Sequence, residues 1–189
     1  MAKVQTLPVR YQILPNAVMG MLIFVVTEVM FFSGLISAFL IVKGAAAEWP
    51  PPGQPRLPVE ATALNTAALL VSGFVLFLAG RAFDESPQRA RRPLLVATLL
   101  GALFVGFQGV EWVRLIGEGL TLTSGLLGSF FYLIVGLHGL HALAALTAMT
   151  WAYGRLVRGS LPYSSLAPIQ IFWYFVVGVW PVLYYLVYL

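Results

Sequence analysis

Residues 18–42 read VMGMLIFVVTEVMFFSGLISAFLIV, and Glu28 is the only charged side chain in the run. A helix of this length covers more than the roughly 30 Å of a bilayer core at about 1.5 Å per residue. An ionisable group at the centre of such a span costs about 2.5–3.5 kcal/mol on insertion scales, so its default reading is functional. The structural alternative is a neutral carboxylic acid bonded between helices, and the cost favours the functional reading over it.

The rest of the chain agrees that lipid is the solvent. Only 10% of its 189 residues are charged and 60% are hydrophobic, where a soluble domain carries about 25% charged residues. Mean hydropathy is +0.89. Four more runs follow, at Ala61–Gly80, Pro93–Ile116, Gly125–Tyr153 and Pro168–Leu189. The reading is an all-α integral membrane bundle of five transmembrane helices, a single transmembrane domain over residues 1–189. Pro93 and Pro168 are expected at helix starts, where a missing N–H costs nothing. Pro181 lies inside the last span and is expected to kink it. Ala45-Ala46-Ala47 looks like a signal-peptide cleavage site. The preceding run is much longer than a signal core of about 7–15 residues and holds a glutamate, so it is read as a retained span.

Lys and Arg set the orientation. Lys3, Arg10, Arg81, Arg89, Arg91, Arg92, Arg155 and Arg158 fall on one side, and Lys43, Arg56 and Arg114 on the other. The richer side is cytoplasmic, which puts the N-terminus inside and the C-terminus outside. Tyr184, Tyr185 and Tyr188 would then join an outer aromatic belt. No basic stripe interleaved with exposed aromatics suggests nucleic acid.

Several chemistries are excluded outright. There is no cysteine, hence no disulfide, thiolate copper site or cysteine nucleophile. The two histidines, His138 and His141, are three apart and share a helix face. They cannot grip a haem from opposite sides, and no third histidine completes an imidazole copper site. The chain itself is expected to hold no metal or redox cofactor and to be non-catalytic.

Depth pairs the remaining polar groups. Glu28 is 10 residues from the inner end of its span, roughly 15 Å in, and His141 is 12 residues from the inner end of the fourth, roughly 18 Å in. Each needs a polar partner in lipid, and a Glu28–His141 hydrogen bond is the cheapest solution. The alternative is that His141 bonds to backbone or water. His138 lies one turn further out. Burial favours the neutral acid at Glu28, and a charged partner opposes that. Thr27 and Asn16 are the only obvious polar groups below Glu28 on its span, which gives no continuous ladder for protons. On the third span Gln108 and Glu111 share a face. Gln108 is expected to bond across a helix interface. Glu111 is read as interfacial, with Arg114 as neighbour and Trp112 as belt residue. Gly34, Gly73, Gly101, Gly106, Gly128, Gly136, Gly139 and Gly178 recur inside the spans and mark candidate close approaches between helices.

Together these stretches resemble subunit III of haem-copper oxidases, chiefly cytochrome c oxidase. The resemblance is carried in order by MGMLIFVVTEVMFFSG around Glu28, WPPPG at Trp49–Gly53, LNTAALLVSG at Leu64–Gly73, GALFVGFQGVEW at Gly101–Trp112, GSFFYLIVGLHGLHALAAL from Gly128, and the F-W-x-F-V-x-x-V-W pattern from Phe172 to Trp180. It implies the shorter five-helix form, a bundle split by a V-shaped cleft that holds phospholipid. It also implies an accessory role on a subunit I that carries haem and copper, beside a copper-bearing subunit II, in the respiratory chain of a bacterial cytoplasmic membrane. The family's carbodiimide-reactive carboxylate falls on Glu28, its partner histidine on His141, and a lipid-headgroup arginine on Arg155. Phospholipid is expected in a groove between the first pair of spans and the rest. The family's usual His and Asp in the last span are here Tyr174 and Gly178, which leaves a quinol oxidase or nitric oxide reductase partner open. A reading from another class is a small proton channel or transporter with Glu28 and the histidines as relay. The absence of an inverted repeat argues against a common transporter design.

Overall fold

The computed structural model describes residues 15–49, 51, 55 and 57–189. Lys3, Arg10, Arg56 and part of the WPPPG stretch lie outside the described residues. Five helices follow one another: α1 (Asn16–Ala45), α2 (Val59–Glu85), α3 (Pro87–Gly117), α4 (Leu126–Val157) and α5 (Tyr163–Leu183), the last continued by a π-helical turn at Tyr184–Tyr188. All five are long and apolar enough to cross a membrane. There is no strand among the described residues.

The helices overrun the hydropathy spans at nearly every end. α3 starts at Pro87, its first helical residue, and Pro93 lies inside the helix; Pro168 likewise lies inside α5. Neither proline marks a start. Apolar runs measure lipid thickness, while a helix continues through a polar turn into the headgroup layer. Arg89, Arg91 and Arg92 occupy that turn in α3. Pro181 also lies inside α5, which runs on through Leu183 before the π-helical turn begins at Tyr184.

Glycines close two of the helices. Gly119 and Gly159 have φ of 94° and 69°, a region that L side chains rarely adopt. After α3, Leu120 N–H bonds Leu115 O at 2.9 Å and Gly119 N–H bonds Ile116 O at 3.0 Å. After α4, Ser160 N–H bonds Arg155 O at 2.9 Å and Gly159 N–H bonds Leu156 O at 3.1 Å. Both are Schellman turns, which satisfy carbonyls that the helix leaves open.

α5 is the hub. It packs on α4, α2 and α1, and α2 and α3 form the most extensive pair. α1 leans on α5 and α4, and has no comparable contact with α2. The first two helices are therefore not a pair standing off from the rest, and α1 alone is peripheral. Of its residues only Val18, Phe32 and Phe39 are buried.

The seam between α2 and α5 is polar and fully buried. Trp173 Nε1 donates to Ser72 Oγ at 3.1 Å, Trp180 Nε1 to Thr66 Oγ1 at 2.8 Å, and Gln170 Nε2 to the Leu76 carbonyl at 3.3 Å. The numbers rise on α5 as they fall on α2, as antiparallel helices require. Gly101 of α3 is held small by the same seam, because a Cβ there would meet Trp173 Cη2 at 2.6 Å. By contrast Gly34, Gly106 and Gly178 have nothing within 4 Å of a Cβ. Those three do not mark helix contacts within this chain.

Candidate functional site

Glu28 projects from the middle of α1 to where that helix crosses α4. His141 Nε2 lies 3.1 Å from Glu28 Oε2, with both side chains mostly buried. The other ring nitrogen, Nδ1, is 2.7 Å from the Leu137 carbonyl one turn back. A carbonyl only accepts, so Nδ1 carries a proton. With a neutral ring, Nε2 is then a bare acceptor facing the carboxyl group. The contact also falls outside the geometry of an N–H donated from Nε2 to Oε2. An unprotonated Nε2 directs its lone pair along that same line, so the pair stands as a close polar contact between two helices.

An aromatic cage surrounds the pair. Phe32 meets the His141 ring edge-on at 5.5 Å, Phe175 at 6.1 Å and Phe172 at 6.2 Å. Phe24 closes the other side against Phe172 at 5.7 Å. The cage gives the pair a largely apolar surrounding, in which polar contacts are stronger than in water. Thr27 does not extend a polar path from Glu28, since its hydroxyl donates to the Phe24 carbonyl at 2.7 Å on its own helix.

His138 is not part of this pair. It is 1% exposed and stacked on Trp180 with ring centroids 5.1 Å apart, and neither of its nitrogens has a partner. Gln108 reaches across the bundle, where its Nε2 donates to Tyr188 Oη at 3.0 Å. Arg114 Nε bonds Glu118 Oε1 at 2.9 Å, one turn on, while Glu111 Oε2 is buried without a partner. Among the described residues, no three His, Asp or Glu side chains are grouped so as to hold a metal ion.

The basic end of the bundle is tied by its own backbone. Arg155 Nη2 and Nε donate to the Ser160 carbonyl at 2.8 and 3.2 Å, which clamps the turn after α4, and its guanidinium lies 5.3 Å from the Trp151 ring centre. Arg91 Nη2 donates to the Val157 carbonyl at 3.2 Å, so the α2–α3 and α4–α5 connections share one end of the bundle. Of the three tyrosines expected in a belt, only Tyr185 faces out. Tyr188 is buried, and Tyr184 donates its hydroxyl to the Val59 carbonyl at 3.1 Å.

The family model for cytochrome c oxidase subunit III matches residues 11–189. The chain belongs to that family. It is 29% identical over 177 residues to cytochrome c oxidase subunit 3 of Thermostichus vulcanus, covering 91% of this chain and 86% of that one. It is 33% identical to a probable cytochrome c oxidase subunit 3 of Nocardia farcinica, covering 88% and 84% of the two chains. With the human cytochrome c oxidase subunit 3 the identity is 32%, over 89% of this chain and 67% of that one. The protein is therefore a multi-pass membrane subunit of a haem-copper oxidase, an oxidoreductase complex of the respiratory chain.

The two departures from the family pattern both lie on the outside of α5. Tyr174 is 36% exposed, and a Cβ at Gly178 would meet nothing within 4 Å. Sequence reasoning missed the α2–α5 ladder, although its signal was present. Thr66, Ser72 and Gln170 are polar groups inside apolar spans, and each needed a partner. The indoles of Trp173 and Trp180 are donors that seek an acceptor when buried.

Proposed function

We propose that this subunit is an accessory, non-redox component that packs as one transmembrane domain on the haem- and copper-bearing subunit I. A copper-bearing subunit II stands beside it, in a bacterial cytoplasmic membrane with the N-terminus inside. The role is to sustain the stability, turnover and proton uptake of subunit I. The observation that carries this reading is the Glu28–His141 pair, a close contact of two polar side chains in an aromatic cage, with Thr27 bonded back to its own helix. Such a pair suits a local structural or tuning element better than a conducting wire. The chain's two histidines and lack of cysteine support a non-redox role. Phospholipid bound near the basic end, with Arg155 beside a headgroup, belongs to the same reading. There the charge can snorkel to the interface.

The assembly test is gentle purification from native membranes with mass spectrometry and a haem spectrum. Co-purification with a haem-bearing partner is expected, and quantitative recovery as a haem-free monomer overturns the proposal. Glu28→Gln tests the role of the pair. It keeps the shape and hydrogen bonding but removes titration, so carbodiimide labelling at this site disappears while oxygen reduction stays largely intact. Loss of proton pumping in an assembled, haem-replete Glu28→Gln complex would replace the accessory role with a direct relay.

A further inference from the structure

The last turn of α1, the starts of α2 and α4 and the π-helical turn meet at one end of the bundle, around a half-open cavity of about 320 Å³. Leu57, Val59, Leu127 and Val187 give it apolar walls, and Lys43 and Trp49 also line it. Leu127 and Arg155 stand near opposite ends of α4, roughly 40 Å apart at 1.5 Å per residue, so this is the end away from Arg155.

Lys43 is half-buried there and held from two sides. Its Nζ donates to the Leu186 carbonyl at 3.2 Å and lies 5.8 Å from the Phe39 ring centre. Both neighbours are neutral. An ammonium has three N–H donors, so the carbonyl takes one and leaves two. Lys43 has no acidic partner among the described residues, and Glu48 and Glu60, exposed at the same end, make no ion pair with it. Arg114, the other described cation at this end, is paired with Glu118 at 2.9 Å.

A partly buried charge is costly to leave without a counter-ion, and hydrocarbon supplies none. The counter-ion therefore comes from outside the chain. Lys43 closes the apolar run of α1, and a tryptophan beside such a lysine belongs to the headgroup layer. Phosphate is the anion that layer offers. The volume falls in the roughly 300–1,000 Å³ range of small-molecule sites, so the cavity takes more than a bare phosphate. Its apolar walls suit the glycerol and the first acyl carbons.

We propose that this cavity binds the phosphate headgroup of a membrane phospholipid, with Lys43 as its counter-ion. The site is in the leaflet opposite the Arg155 end and does not rest on any lipid bound there.

The test is photolabelling of the native complex purified in dodecyl maltoside. The probe is dipalmitoyl phosphatidylglycerol with a diazirine high on one acyl chain, and labelled peptides are mapped by mass spectrometry. Label is expected on residues 43–49, 57–59 and 187–189. Label near Arg155 reports on the other end separately. Dipalmitoylglycerol with the same diazirine but no phosphate should label the cavity at least tenfold less. Equal labelling by it overturns the proposal in favour of an acyl-chain groove. Inorganic phosphate in large excess should leave the label in place, and loss of label to it assigns a free anion and overturns the lipid. Lys43→Met keeps the stem and removes the charge, and should cut the label at least tenfold, while Lys43→Arg retains it. Label that Lys43→Met leaves intact, or that Lys43→Arg loses equally, overturns the proposal. If Lys43→Met does not assemble, Leu57→Trp fills the cavity and should remove the label, and persistence there is equally fatal. If neither assembles, the comparison of the two probes on the parent complex decides.

Discussion

The α2–α5 seam and the α1–α4 crossing both bury polar groups in the membrane, and they do so in opposite ways. At the seam, Trp173, Trp180 and Gln170 each reach a fixed acceptor on α2, and both indoles are fully buried. At the crossing, one carboxyl meets one imidazole, and α1 buries little else. The seam holds the bundle together by shape and saturated hydrogen bonds. The crossing rests on one close polar contact, with few other buried residues of α1 at stake.

Four changes break or sharpen that contrast. Trp180→Ala should be the most damaging. It empties a fully buried indole site and removes the donor to Thr66 Oγ1, and large-to-small changes of this kind cost about 3–5 kcal/mol. Denaturant titration of the purified subunit in detergent reads this, and a loss below about 1 kcal/mol would deny the seam its role. Next is Gly101→Val, which drives a side chain into Trp173. Overpacking of this sort costs about 1–3 kcal/mol, whereas Gly106→Val, in open space, should match the parent in the same titration.

Gln108→Leu comes third. It removes the donor to Tyr188, and the loss should be about 1–2 kcal/mol on typical hydrogen-bond scales. Gln108→Leu combined with Tyr188→Phe should recover part of that, since no polar partner is then left behind. The smallest effect is expected at the crossing. A double-mutant cycle of Glu28→Leu and His141→Phe should give a coupling of about 0.6 kcal/mol, the average for membrane hydrogen bonds. A coupling as large as the Trp180→Ala loss would erase the distinction between the two regions.

Much of this was legible before any coordinates. Charge depletion and run length dictate five lipid-spanning helices, and equal depth brings Glu28 and His141 together because neither can be left alone in hydrocarbon. Gln108 shows where legibility stops. Its need for a partner is plain from the sequence, but that Tyr188 fills the need is not. Tyr188 reads as a belt residue, and in the folded chain it is buried within the π-helical turn at Tyr184–Tyr188. Arg155 reads as a headgroup ligand, and folding engages its guanidinium on the Ser160 carbonyl.

What the sequence by itself determined is therefore whatever transfer into lipid controls: the number of helices, their approximate centres, and which polar groups must find each other. Tertiary structure alone decided which faces touch. It put Gly101 under an indole and left Gly34, Gly106 and Gly178 facing open space. It made α5 the hub and α1 the periphery, and it set His138 against Trp180. The physical reason is that lipid tails are as apolar as leucine. Hydropathy cannot tell a face that meets lipid from one that meets another helix. Only fit and hydrogen bonding between particular surfaces make that choice.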